Sequence, residues 1–202
     1  MPNILIVFAH PMLEKSRVHR ALLSAARGVP RVTVRDLYEE YPDFDIDVPA
    51  EKALLAAADV VVLQHPLYWY SCPALMKQWI DLVLEHGWAY GRGGTALEGK
   101  GMMNAVSSGG SREAYRHGGH NRRTIREFLF PFEQTARLCR MRWLAPYVMH
   151  GTHRAGPEVV EEHVRGYGRL LAALAGGSLD LAALEEAEYA NDLGSASANG
   201  GV

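Results

Sequence analysis

The chain has 202 residues, 22.3 kDa, 48% apolar and 22% charged residues, and a formal net charge of −2. That is enough chain for one globular domain with a sizeable core, and its charge gives no nucleic-acid footprint. Its two cysteines, Cys72 and Cys139, are not in CxxC spacing, so neither a disulfide scaffold nor a zinc site is indicated, which fits a reducing compartment.

Residues 3–9, Asn-Ile-Leu-Ile-Val-Phe-Ala, form a continuous apolar run. This is expected of a central parallel strand covered on both faces. No basic n-region or cleavage pattern marks a signal peptide, and no run is long enough to span a membrane, so the chain is expected to be cytoplasmic. A loop from His10 to Lys15 leads to a helix capped by Ser16 and ending near Arg27. Arg31–Asp36 alternates and reads as an edge strand. A loop with two apolar anchors, Phe44 and Ile46, leads to a short helix over residues 50–58. The β-branched run 59–63 is a buried third strand. Pro73 sits near the first turn of a helix reaching Leu84. The glycine-rich loop 87–94 carries Trp88 and Tyr90, which a monomer would leave exposed. Residues 102–107 form a fourth strand, followed by a long polar loop to about Arg123. Pro131 opens a helix ending near Arg140, residues 146–150 a short fifth strand, and residues 158–175 a closing helix. Alternating strands and helices give a three-layer α/β domain with a five-stranded parallel sheet in a flavodoxin-like order, over residues 1–175. Residues 176–202 are expected to be a flexible C-terminal extension with a short helix near residues 178–188; the tail 194–201 has a disordered composition.

In such a sheet, ligands bind outside the carboxyl ends of the strands. Three loops lie there, and each offers something that FMN needs. His10 to Ser16 precedes a helix N-terminus, whose free N–H groups and dipole favour a phosphate. Ser16, Arg17 and His19 add side-chain donors. Leu67, Tyr68, Trp69 and Tyr70 offer rings with an apolar face and a polar edge to flank an isoalloxazine. An aromatic triplet is also what core or dimer packing uses; its place between strand and proline is what points to a ligand. Ser107, Ser108, Gly109 and Gly110 bring backbone N–H groups close. Tyr115 and His120 follow, a phenol and an imidazole able to stabilise charge or hand on a proton. Spacing alone favours a solvent-exposed loop histidine at His120.

Other chemistries fit less well. There is no Gly-x-Gly-x-x-Gly, no phosphate loop with Lys-Ser/Thr, and no Gly-x-Ser-x-Gly elbow. The pairs His117/His120 and His150/His153 lack a carboxylate or thiol to complete a ligand set, so no metal is expected.

The loop motifs resemble the flavodoxin-like NAD(P)H:quinone oxidoreductases, the DT-diaphorase family. The pieces are Ala9-His10-Pro11, Pro66-Leu67-Tyr68-Trp69-Tyr70, Trp88-Ala89-Tyr90, and Ser108-Gly109-Gly110 with Tyr115. The nearest likeness is to the ancillary proteins of glutathione-regulated potassium efflux, the Kef type. It runs through residues 41–47, 64–66, 86–97, 139–141 and 143–144, and covers about residues 3–175.

The resemblance implies a homodimer with one FMN per subunit, reduced by NAD(P)H and reoxidised by a quinone or related electrophile in a ping-pong, two-electron cycle. It implies FMN contacts from His10, Ser16, Arg17, Val18, His19, Leu67, Tyr68, Trp69, Tyr70, Ser107, Ser108, Gly109 and Gly110. Tyr115 and His120 would be the pair beside the flavin, and Trp88 and Tyr90 would line the partner chain's acceptor pocket. His19 departs from the asparagine of the Kef ancillary proteins. A membrane potassium–proton antiporter is the implied partner, with the protein peripheral on the inner membrane's cytoplasmic face. Two rivals stand beside the enzyme: a regulatory subunit holding FMN without turnover, and a one-electron flavodoxin, which would ordinarily be more acidic.

Overall fold

The computed structural model describes residues 1–193; the expected disordered tail from Gly194 lies outside them. Strands β1 (Ile4–Phe8), β2 (Val32–Asp36), β3 (Val60–Pro66), β4 (Gly101–Ser107) and β5 (Arg142–Trp143) line up in the order β2-β1-β3-β4-β5, with β6 (Tyr147–Met149) also on β4. Every pairing is parallel. The five-position order is the flavodoxin-like one expected from the sequence.

Alternation along the strands sorts the core into two layers. Ile4, Ile6 and Phe8 of β1 face α1 (Arg17–Arg27) and α7 (Pro157–Gly176), where Leu22, Leu23, Tyr167 and Leu171 close one core. Leu5, Val7 and Ala9 face the other way, toward α3 (Val48–Ala57), α4 (Ala74–Val83) and α6 (Phe130–Leu138), meeting Leu55, Leu75, Trp79 and Phe132. Each fully buried large apolar side chain contributes about 1.5–3 kcal/mol. Two short helices, α2 (Leu37–Glu40) and α5 (Ile125–Phe128), occur in stretches outside the elements expected from the sequence. Asp36 caps the first, and a Thr124–Glu127 capping box starts the second.

The fifth strand, expected at residues 146–150, is found as β6 at 147–149, and β5 precedes it at 142–143, where no strand was expected. Pro146 has no N–H to continue the ladder. The outer edge there is met instead by the C-terminal segment: Ala145 N–H donates to Leu184 O at 2.9 Å, and Ala190 N–H to Pro146 O at 2.9 Å. That segment holds the short helix expected near residues 178–188, as α8 (Leu181–Glu186), but its expected flexibility is corrected: residues 177–193 are folded back, with Leu184, Tyr189 and Ala190 buried. Asn191 brackets Val148, accepting from its N–H at 2.8 Å and donating to its carbonyl at 3.1 Å.

Candidate functional site

The register places Phe8 beside Gln64 and Pro66 beside Ser107, so the loops after β1, β3 and β4 leave the sheet side by side. They enclose a cleft of about 350 Å³. Its walls are His10, Met12, Lys15, Ser16, Arg17 and Val18 from the first loop, Pro66, Leu67 and Tyr68 from the second, and Ser107 and Gly109 from the third. Thr152 and His153, from a fourth loop after β6, complete it.

One end of the cleft is built for an anion. An α-helix leaves its first N–H groups without intrahelical acceptors. The Ser16 hydroxyl takes up that of His19 at 3.1 Å, while Arg17 and Val18, the first two helical residues, line the cleft. The helix dipole adds partial positive charge there. The Arg17 guanidinium is committed elsewhere, donating to Ala155 O across the cleft. Lys15 supplies a second cation at the wall.

The buried histidines next to this end are held neutral. The Met12 N–H donates to His10 Nδ1 at 3.1 Å, so the ring proton of neutral His10 lies on Nε2 and can be donated to a ligand. Burial lowers its pKa against the opposing pull of Glu14. His19 is buried further, and burial, with His10 and His65 adding to it, lowers its pKa to about 3. Its Nε2 lies 2.9 Å from Ser107 Oγ, and its Nδ1 has no partner among the described residues.

The other end is aromatic and strained. Tyr68 and Ser71 exchange backbone hydrogen bonds of 3.1 and 2.9 Å, closing a two-residue turn around Trp69 and Tyr70. Both central residues have positive φ, 49° and 63°. Glycine and asparagine normally fill such positions, because a bulky residue there costs roughly 1–2 kcal/mol. Tyr68 therefore sits on the cleft, edge-on to His10 at 6.0 Å, while Trp69 is 94% exposed. Tyr70 turns aside to stack on Phe128 at 4.7 Å.

Eight of the expected cofactor contacts thus line the cleft: His10, Ser16, Arg17, Val18, Leu67, Tyr68, Ser107 and Gly109. His19 and Ser108 lie behind the wall, Gly110 beyond it, and Trp69 and Tyr70 point away. Tyr115 is buried against Gly110, where an added Cβ would lie 3.0 Å from its ring. Burial raises the Tyr115 phenol's pKa. His120 is exposed and does not line the cleft. Trp88 and Tyr90 are half-buried rather than exposed. Lys52 lies 5.0 Å over the Trp88 ring, and His86 packs edge-on to Tyr90. Their loop leads into the start of β4, so within one chain they sit at the opposite end of the strands from the cleft. His153 and Thr152 escaped the sequence reading, which considered their stretch only for metal. No sequence signal marked His153; the fold makes room for it at Gly109, whose Cβ would fall 2.4 Å from that imidazole.

A family model described as the flavodoxin-like fold matches residues 2–171. The glutathione-regulated potassium-efflux system ancillary protein KefG of Serratia proteamaculans is 48% identical over 167 residues, 83% of this chain and 91% of its own. General stress protein 14 of Treponema denticola, solved in complex with FMN, superposes with a TM-score of 0.82 at 42% identity, over 86% of this chain and 99% of that one. An NADPH-quinone reductase from P. pentosaceus gives a TM-score of 0.76 at 34% identity, over 83% of this chain and 96% of that one.

Proposed function

The chain belongs to the flavodoxin-like family, and on that footing we propose that it is an FMN-dependent NAD(P)H:quinone oxidoreductase. The observation that carries this is the cleft itself, with a helix N-terminus, a His10 Nε2 donor and Lys15 at one end and the Leu67–Tyr68 wall at the other. A phosphate fits the first end and a flat, conjugated ring the second. The lack of a Cβ at Gly109 keeps the third wall low enough for close backbone approach. The FMN complex of the Treponema protein, 42% identical, supports the choice of cofactor.

When bound, FMN supplies the redox chemistry, a hydride taken from NAD(P)H and two electrons given to a quinone. The chain's own residues bind and orient. Arg17 and Val18 N–H groups, the Ser16 hydroxyl, His10 Nε2–H and Lys15 would hold the phosphate. Leu67 and Tyr68 would flank the ring, and Ser107 and Gly109 would offer it polar groups. The Tyr115 phenol, kept protonated, is the donor for negative charge developing near the 107–110 turn. His120 completes the pair only if its exposed loop closes over the bound ligand. Trp88 and Tyr90, at the far end of the strands, serve a neighbouring subunit's cleft in a homodimer.

Similarity to the KefG relative favours a second role beside the first, as a peripheral cytoplasmic subunit that activates a membrane potassium-efflux antiporter. Among the described residues no helix is long and apolar enough to cross a membrane. The test is one preparation. The purified protein is expected to be yellow, to release FMN rather than FAD on denaturation, to oxidise NAD(P)H with a quinone, and to scatter light as a dimer. Colourless protein that takes up no added FMN sinks the reading. FMN binding without turnover leaves only the regulatory role, and a fully active monomer removes the shared site.

A further inference from the structure

One row of rings runs from the Tyr68–Ser71 turn to the C-terminal segment. Tyr70 stacks on Phe128 at 4.7 Å, Phe128 meets Tyr115 at 6.0 Å, Tyr115 meets His150 at 5.8 Å, and His150 meets Tyr189 at 5.8 Å. His150 is its one imidazole, between Tyr115 and Tyr189. Its Nδ1 lies 3.4 Å from the Ser108 hydroxyl, which itself donates to Gly110 O at 3.0 Å. With the Ser108 proton so committed, Nδ1 is the donor of the pair, and Nε2 is left as an acceptor. That Nε2 is buried with no partner among the described residues. Ser108 lies between Ser107 and Gly109, both on the cleft wall, with its own side chain on the His150 side.

What keeps His150 in place is the segment after α7. Tyr189 covers its ring edge-on, and Arg112 lies 4.9 Å over Tyr189 while pairing with Asp192 at 3.3 Å. Asn191 pins the segment to Val148, two residues before His150. The family match ends at residue 171, so this strap is outside the shared domain, yet it reaches the wall of the shared site.

We propose that His150, clamped by Tyr189 of the C-terminal strap, is a positioning residue that fixes the Ser108 hydroxyl and, beside it, the Tyr115 phenol on whose ring the imidazole packs. The inference rests on the oxidoreductase reading for its effect on turnover, but not for its effect on Tyr115. The backbone of the turn is already laced to the next loop, Ser108 N–H to Met149 O at 2.9 Å and Gly151 N–H to Gly110 O at 2.8 Å. His150 therefore sets side-chain geometry on a turn that stands without it. An imidazole does this where an aliphatic group of similar size cannot, because only a donor can hold a hydroxyl whose own proton is spent.

The experiment uses the full chain and three variants, His150→Leu, His150→Asn and Tyr189→Leu. The phenol of Tyr115 is titrated by NMR on tyrosine carrying ¹³C at Cζ in the flavin-free protein, with Tyr115→Phe to assign the signal. The same proteins, loaded with FMN, are assayed with NADH and benzoquinone. Both leucine variants are expected to move the Tyr115 titration by about one unit. They should cut kcat by about tenfold, with FMN stoichiometric and KM for benzoquinone little changed. An asparagine amide can donate from near the place of Nδ1, so His150→Asn is expected to recover the parent titration and most of kcat. An unchanged Tyr115 titration in both leucine variants overturns the proposal, as does His150→Asn behaving like His150→Leu. Should His150→Leu not fold, Tyr189→Leu decides by the same two readings. A parent protein that binds no FMN counts against the oxidoreductase reading alone, since the phenol titration stands without it.

Discussion

Two buried polar centres flank the same sheet, and they are finished differently. Under β2 and α4, the Glu51 carboxylate has no exposed surface. Oε1 accepts from Arg35 Nε at 2.7 Å and from the Tyr41 hydroxyl at 2.6 Å, and Oε2 accepts from Trp79 Nε1 at 2.8 Å. Burial pulls the Arg35 pKa down, yet its bonds to Glu51 and Tyr41 carry it above the ordinary value. At the cleft the accounting stays open: His19 Nδ1 and His150 Nε2 lack partners among the described residues, the first helical N–H groups face a cavity, and the neighbouring turn carries two bulky residues at positive φ. Buried polar groups are nearly always paired, so open atoms that coincide with a free helix end and a strained turn mark a place for a ligand, whereas a lone one such as Trp143 Nε1 does not.

The largest expected effect tests the closed centre. Glu51→Ala would leave the buried Trp79 Nε1 and the Tyr41 hydroxyl without their acceptor, while Arg35 keeps Glu40 at 2.7 Å, and each buried donor left unpaired costs about 1–3 kcal/mol. Urea unfolding should show that loss. Protein that remains folded should keep FMN, because none of these groups touches the cleft. A loss below about 1 kcal/mol, the range of an exposed pair, would mean that the network is dispensable and the contrast drawn above is false.

The next effect tests the cleft wall by pH. His19 has a folded pKa near 3, below the ordinary 6.5, because burial disfavours its charged form. Between those values the unfolded chain binds the proton and the folded one does not. Its contribution is therefore complete above pH 6.5 and lost as pH falls toward 3. Between pH 7.5 and 4.5 this amounts to about 2–3 kcal/mol. His19→Asn removes the titrating group and should flatten the fall by that amount. Denaturant unfolding at the two pH values checks it; an equal fall in parent and variant would mean that His19 is not held neutral.

These differences bear on what could be read from the chain alone. The parallel order was legible because β1 and β3 are continuous apolar runs, and only strands covered on both faces need such runs. The first loop was legible through Ser16 and its helix. The Glu51 centre was not: a lone glutamate in a short helix reads as surface until tertiary structure brings Arg35, Tyr41 and Trp79 around it. Nor was the strap, whose Gly-Ser-Ala-rich continuation hides the anchors Tyr189 and Asn191. Their partners, Val148 and His150, lie about 40 residues away, beyond any local pattern. Tyr68, Trp69 and Tyr70 were correctly placed on a loop at a strand's carboxyl end, but periodicity says nothing of a turn that sends one ring to the cleft, one to solvent and one to Phe128.

The smallest expected effect sharpens the comparison most, because it separates strain from packing. Trp69 is 94% exposed at φ 49°, so it adds little burial in the single chain and holds a backbone conformation that suits glycine. Trp69→Gly should release roughly 1–2 kcal/mol of left-handed strain. Against this stands the extra freedom that glycine gives the unfolded chain, about 0.5–1 kcal/mol. The net change in unfolding free energy should be a gain of about 0.5 kcal/mol. Closed architecture does not behave that way: replacing Trp79, buried beside Glu51, by glycine could only destabilise. If strain is retained at the turn for a ligand or a partner chain, the same Trp69→Gly protein should bind FMN more weakly or dissociate more readily while unfolding no more easily. Titration with FMN and light scattering on one sample read both. A stability loss above about 1 kcal/mol would show that Trp69 packs within its own chain, and unchanged stability with unchanged FMN affinity and mass would leave the strained turn without a function.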